Sequence, residues 1–221
     1  MGLAVSFQGP RRGADRAVLL APGAGADRHA ASLTVVAAAL AAAGIPSLRF
    51  DYPYRAAGKR APDRPPVLDA ATREAAATLA RRTDLPPERL VLGGRSMGGR
   101  YCSMVAADPD DPVPALGLLL LGYPLQALGK PDRRRDDHFA RISCPVLFVS
   151  GTRDSLAPRT ALTSSARKVA GPVTFEWLDT ADHGFRPLKR TGTSIDEVLA
   201  RVGETSVTWV QSLGRAPTNS A

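Results

Sequence analysis

Apolar residues fall along the chain in short unbroken runs rather than in long stripes. Ala17–Ala21 (AVLLA), Ser47–Tyr52, Leu90–Leu92, Leu116–Leu121, Pro145–Ser150 and Val173–Leu178 each read as a strand, and Leu3–Phe7 as a further short strand at a sheet edge. Runs apolar on consecutive residues are buried on both faces, the condition of a strand inside a parallel sheet covered on both sides. Between them lie Ala-rich or amphipathic stretches: Arg28–Ala43, Asp69–Arg82, Gly99–Ala107 (starting near Met97), Thr160–Ala170 and Ser194–Leu213. These predict helices. Asp27 is the expected cap of the first, and Gly44-Ile45-Pro46 its stop. Strand and helix alternate throughout, so the predicted architecture is a three-layer α/β/α sandwich with a mostly parallel sheet. Residues 1–214 are expected to form one domain, with Arg215–Ala221 as a frayed tail.

Two stretches interrupt the alternation. Pro53–Pro66 contains four prolines and reads as a long loop. Leu125–Ser143 reads as a polar connection with one helix near Arg133–Arg141.

Composition narrows the picture. No run of about 18 uncharged apolar residues exists, so no membrane span is expected. At the N-terminus the charges follow the apolar residues, the wrong order for a signal peptide, and a cytoplasmic location is expected. Cys102 and Cys144 are too few for a disulfide framework and read as reduced packing residues. Twenty-nine Lys and Arg against 21 Asp and Glu give a net charge of +8. The arginines are spread along the chain with few aromatics between them, which describes a solvated basic surface and not a nucleic-acid footprint.

The densest chemistry lies at Leu90–Arg100, LVLGGRSMGGR. With 20 glycines in the chain, the pentad Gly94-Arg95-Ser96-Met97-Gly98 carries little weight alone. Its context carries more: a buried strand enters it and a helix of small residues leaves it, which sets a serine hydroxyl on a sharp turn at a strand tip. Asp154 and His183 also lie just past the ends of predicted strands, at an edge where a parallel sheet gathers residues remote in sequence. The order serine, acid, histidine suits nucleophilic catalysis. Ser96 attacks, His183 takes its proton and returns it to the leaving group, and Asp154 orients the imidazole. His29 and His138 sit on predicted helices, whereas His183 lies on a post-strand loop. Asp179 and Asp182 compete with Asp154 because they lie near His183 in sequence. The backbone N–H of Met97 is one expected oxyanion donor, and Ala24, with Gly25 as the next candidate, the second; each donor is worth roughly 3 kcal/mol of barrier. No cofactor is expected, and no metal, since no two histidines stand at ligand spacing.

Two other readings compete. Ala17–Ala21 followed by Gly23-x-Gly25, a helix and Asp51 imitates a dinucleotide fingerprint, but Arg28 stands where the third glycine belongs. A protein-interaction module without catalysis is the other, because fold does not fix function.

From LLAPGAGAD through GGRSMGGR and GTRD to DHGF, the chain resembles the α/β-hydrolase superfamily. More narrowly, GGRSMGGR with GYPL, GKPDRRRDDH and VSGTRD is similar to the small capless hydrolases related to testis-expressed protein 30 and to the hydrolase-like subunit of the NSL chromatin complex, grouped with dienelactone-hydrolase-like proteins. The resemblance implies Ser96 as nucleophile, Asp154 as acid and His183 as base. It supplies no substrate; the serine, acid and histidine themselves point to a small-molecule ester or thioester cleaved through an acyl-enzyme, and the oligomeric state is left open. The chain departs from many superfamily members at the oxyanion loop, with Pro22-Gly23 in place of His-Gly. Leu125–Ser143 is too short for the separate lid domain that many superfamily members insert there. The Pro53–Pro66 loop is then a candidate wall, with Tyr52, Tyr54 and Tyr123 as apolar contacts or, the favoured reading, as packing residues.

Overall fold

In the computed structural model, which describes residues 2–127 and 129–214, the apolar runs assemble into a seven-stranded sheet. The elements follow in chain order: β1 (Val5–Gln8), β2 (Ala17–Ala21), α1 (Ala31–Ala42), β3 (Ser47–Phe50), α2 (Pro53–Ala56), α3 (Pro65–Thr83), β4 (Leu90–Arg95), α4 (Met97–Ala106), β5 (Gly117–Leu121), β6 (Gln126–Ala127), β7 (Lys130–Arg134), β8 (Val146–Gly151), α5 (Arg159–Ala166), β9 (Val173–Leu178) and α6 (Ile195–Ser212). The sheet runs β1-β3-β2-β4-β5-β8-β9, parallel throughout except for β1, which pairs antiparallel with β3 at one edge. The expected tail, residues 215–221, lies outside the described residues.

The consecutive apolar residues divide between two faces, as side-chain alternation requires. Leu19, Leu118, Leu120 and Phe148 face the layer of α3, α4 and α5, where they meet Leu79, Tyr101, Val105 and Leu162. Val18, Leu20, Leu119 and Val149 face α1 and α6, against Leu33, Val36, Val202 and Val210. Each such leucine or valine is fully enclosed and contributes about 1.5–3 kcal/mol of burial. Because the central strands are parallel, their C-terminal ends share one edge, which positions everything described below.

Several local expectations change. Asp27 does not cap α1. It closes a turn instead, accepting from the amide of His29 at 2.8 Å, and the helix starts after Ala30. The amide of Arg28 donates to Asp51 at 2.7 Å, which holds this turn to the end of β3. Pro53–Pro66 is not wholly loop: α2 occupies its start, and α3 begins at Pro65, where the missing amide costs nothing in a first helical turn. The helix expected near Arg133–Arg141 is replaced by the β6–β7 hairpin and a 3-10 turn at Phe139–Arg141. That segment has no apolar stripe for a helix to bury.

Tyr52, Tyr54 and Tyr123 are core residues, as the favoured reading has it, each at most 1 % exposed. Cys102 is enclosed beneath α4, and burial pushes its thiol up to about 12, so it is an inert packing group. Among the described residues no helix is long and apolar enough to cross a membrane. The connection from β5 to β8 carries only the small hairpin and the 3-10 turn, with no separate lid domain among the described residues.

Candidate active site

Strand β4 enters the pentad and α4 leaves it at Met97, with Ser96 between them at φ 49° and ψ −113°. A non-glycine residue rarely adopts this conformation, and holding it costs about 1–3 kcal/mol. The surrounding structure enforces it. The Ser96 amide donates to the carbonyl of Leu121 at 2.9 Å, which ties the turn to the end of β5. The helix then packs against β2 so closely that a β-carbon at Gly98 would stand 2.3 Å from the carbonyl oxygen of Ala21. A glycine is required there because backbone occupies the space a side chain would need.

Ser96, Asp154 and His183 come from three loops and meet at the same sheet edge. The Ser96 hydroxyl lies 3.0 Å from His183 Nε2, and His183 Nδ1 lies 2.8 Å from Asp154 Oδ2. The Asp154 carboxylate is fully buried, while the His183 side chain is 26 % exposed. The second carboxylate oxygen of Asp154 accepts from the Leu156 amide at 2.8 Å, which fixes the plane that the imidazole meets. Asp179 is exposed and accepts from the Thr180 amide at 2.9 Å. Asp182 accepts from the Arg186 amide at 2.9 Å. Neither is hydrogen-bonded to the His183 ring among the described contacts. His29 is exposed. His138 is buried against Ser103 Oγ at 2.8 Å, and burial with the nearby Arg100 and Arg141 lowers its pKa to about 4.

The loop after β2 lies alongside the serine. A β-carbon at Gly23 would stand 3.7 Å from Ser96 Cβ. In this loop the amide of Gly25 donates to the Tyr54 hydroxyl at 3.0 Å, and that of Ala26 to the Gly23 carbonyl at 3.1 Å. Among the described contacts, the amides of Ala24 and Met97 are given to no protein acceptor. The amide of Gly23 is likewise given to no acceptor among the described contacts, and Tyr54 ties the Gly25 amide, and with it the loop, to the start of α2.

Arg95 is the residue whose part in the site the sequence reading missed. Its guanidinium donates to the carbonyls of Leu121 at 3.2 Å, of Gly122 at 3.3 Å and of His183, and lies 4.5 Å from the centre of the Phe185 ring. It thus clasps the loop that carries the histidine to the strand end beside the serine. Burial lowers its pKa to about 10 against the pull of Asp154 and Asp182, so it stays charged at neutral pH. The available signal was a long cation at the variable position of a turn otherwise built from small residues.

The dinucleotide reading fails on geometry. Asp51, whose carboxylate would have to face a ribose, is buried and bound by both the amide and the guanidinium of Arg28. Among the described residues no group of three or more His, Cys, Asp or Glu gathers as a metal site would require.

Residues 14–211 match the alpha/beta hydrolase domain family. The chain belongs to that family. Solved structures share the fold of this hydrolase domain at low sequence identity. A dienelactone hydrolase from Anabaena variabilis is 19 % identical, with 96 % of this chain and 93 % of that one covered and a TM-score of 0.72. An alpha-beta serine hydrolase homologue from Coxiella burnetii is 18 % identical over 92 % and 89 % of the two chains, with a TM-score of 0.70. A serine hydrolase without a lid from Xanthomonas campestris is 20 % identical over 97 % and 91 %, with a TM-score of 0.64. The last parallels the lidless connection between β5 and β8 of this hydrolase domain.

Proposed function

We propose that this hydrolase-family chain is a serine hydrolase that cleaves a carboxylic ester or thioester through an acyl-enzyme. The observation that carries the proposal is the continuous pair of hydrogen bonds, Ser96 Oγ to His183 Nε2 at 3.0 Å and His183 Nδ1 to Asp154 at 2.8 Å. His183 takes the Ser96 proton as the hydroxyl oxygen attacks the acyl carbon. Asp154, fully enclosed, holds the ring with Nε2 toward the serine and stabilises the imidazolium. The amides of Met97 and Ala24 receive the oxyanion as the tetrahedral intermediate forms, and the positive end of α4 points the same way. Collapse of the intermediate expels the alcohol or thiol, protonated by His183, and water repeats the sequence to release the acid. We place the chain with the capless, dienelactone-hydrolase-like branch on the motifs GGRSMGGR, GYPL and VSGTRD.

A fluorophosphonate probe tests the nucleophile. The expected result is covalent labelling of the wild type and none of Ser96→Ala. Absence of labelling in the wild type, or equal labelling of the two, favours an interaction module on a hydrolase scaffold.

A further inference from the structure

The segment between β3 and α3 takes no part in the reaction proposed above, yet it holds the loop after β2. Residues 23–26 form a tight turn there. The Ala26 amide donates to the Gly23 carbonyl at 3.1 Å, and of the two central residues only Gly25 has a positive φ, 74°. These are the marks of a type II turn, whose third residue takes the left-handed conformation open to glycine. The peptide between Ala24 and Gly25 has a second orientation, that of a type I turn, in which the Gly25 amide and the Ala24 carbonyl point the opposite way. Among the described contacts one bond selects between the two, from the Gly25 amide to the Tyr54 hydroxyl at 3.0 Å. We propose that Tyr54 is a positioning residue for the hydrolytic reaction, its hydroxyl fixing the turn that presents the Ala24 amide to the oxyanion. The inference rests on the serine-hydrolase reading and adds to it the device that keeps the second donor aligned.

The hydroxyl is itself held in place. Tyr54 is fully buried, and its ring lies nearly parallel to that of Tyr52, with 6.3 Å between centres. Its amide donates to Asp63 Oδ2 at 2.8 Å, and its carbonyl accepts from the Lys59 amide at 2.8 Å, so the segment closes on itself around Tyr54. Arg55 joins the segment to the loop a second time. Its guanidinium lies 3.6 Å from Asp27 and donates to the Lys59 carbonyl at 3.1 Å. The Arg60 carbonyl adjoins the turn, 3.9 Å from where a β-carbon at Gly25 would stand. The turn also meets the nucleophile, because a β-carbon at Gly23 would stand 3.5 Å from the carbonyl of Arg95, the residue before Ser96. It therefore links the Tyr54 segment to the serine.

Without the hydroxyl, the Gly25 amide loses its acceptor and the central peptide is free to rotate toward another. An oxyanion donor acts at about 2.7–3.1 Å from the place where charge develops, so a small displacement of Ala24 is felt in the transition state and little in the bound ester. Removing such a donor outright costs about 10²–10³ in kcat, and a donor left present but unaligned should cost about tenfold.

Steady-state kinetics of Tyr54→Phe on p-nitrophenyl acetate tests this, with kcat expressed per site titrated to completion by a fluorophosphonate, so that unfolded protein does not count. The expected result is kcat per site about tenfold lower at nearly unchanged KM. Inhibition by phenylboronic acid, whose tetrahedral serine adduct places an oxygen at the same donors, should weaken by about the same factor. Asp63→Ala removes the acceptor of the Tyr54 amide at a half-buried position and should show the same pattern at about threefold. It carries the test if Tyr54→Phe does not fold. Full kcat per titrated site in Tyr54→Phe, with only Tm lowered, makes the hydroxyl purely structural and overturns the proposal. A change confined to KM makes it a substrate contact and overturns it too, as does an unchanged kcat in Asp63→Ala where that variant stands alone. A wild type that takes no fluorophosphonate and turns over no ester removes the serine-hydrolase reading itself, and this inference with it.

Discussion

Replacing Ser96 by alanine is expected to lower kcat for a short p-nitrophenyl ester on the order of 10⁶-fold, with KM nearly unchanged. His183→Ala should do about the same, and the double variant should be little worse than either single one. The reason lies in the linked geometry: the hydroxyl is a weak nucleophile unless the imidazole 3.0 Å away takes its proton, and the imidazole has no role without the hydroxyl. Loss of either side chain ends the same step, so the effects do not add. Steady-state kinetics on the three variants checks this, and substantial activity in Ser96→Ala would refute the assignment. The fold should persist, because Ser96 makes its tie to β5 through the backbone amide and not through the hydroxyl.

The second large effect is expected at Arg95. Arg95→Met keeps much of the packing against Phe185 but removes donors to three carbonyls, those of Leu121, Gly122 and His183. Hydrogen bonds from a charged donor contribute about 1.5–3 kcal/mol each, and buried carbonyls left without a donor carry their own penalty. Several kcal/mol of stability are therefore at stake. A catalytic effect follows from position: the clasp holds the backbone of the histidine itself, and a displacement of about 1 Å in such a group costs about 100-fold in rate. We expect a reduced urea midpoint together with kcat lowered about 100-fold at full occupancy of the folded state. Arg95→Lys should recover only part of either, since an ammonium group cannot span three carbonyls as the planar fork does. Unchanged kcat in folded Arg95→Met would limit Arg95 to a purely structural role.

These two residues also mark what was legible in the sequence and what was not. Ser96, Asp154 and His183 were readable because each follows an apolar run that had to be a buried strand, and parallel strands bring such positions to one edge. Arg95 was not, because its partners are backbone carbonyls on β5 and the histidine loop, which carry no sequence signature. The same limit explains the local corrections. Asp27 has the chemistry of a cap, but it closes a turn whose Arg28 amide is held by Asp51, 23 positions along, a contact set by tertiary structure. The run KPDRRRDD has no periodic apolar residues, so the helix expected near Arg133–Arg141 had no stripe to bury; pairing with Gln126–Ala127 decides for the hairpin. That the Gly25 amide is committed to the Tyr54 hydroxyl, 29 positions along, was likewise set by tertiary structure.

The most direct test of the account is intact-protein mass spectrometry of the chain quenched during turnover of p-nitrophenyl acetate, followed by peptide mapping. The prediction is a transient gain of one acetyl group, located on the peptide that bears Ser96 and absent from Ser96→Ala. Ester turnover with the acetyl group on another residue, or undiminished in Ser96→Ala, would contradict it.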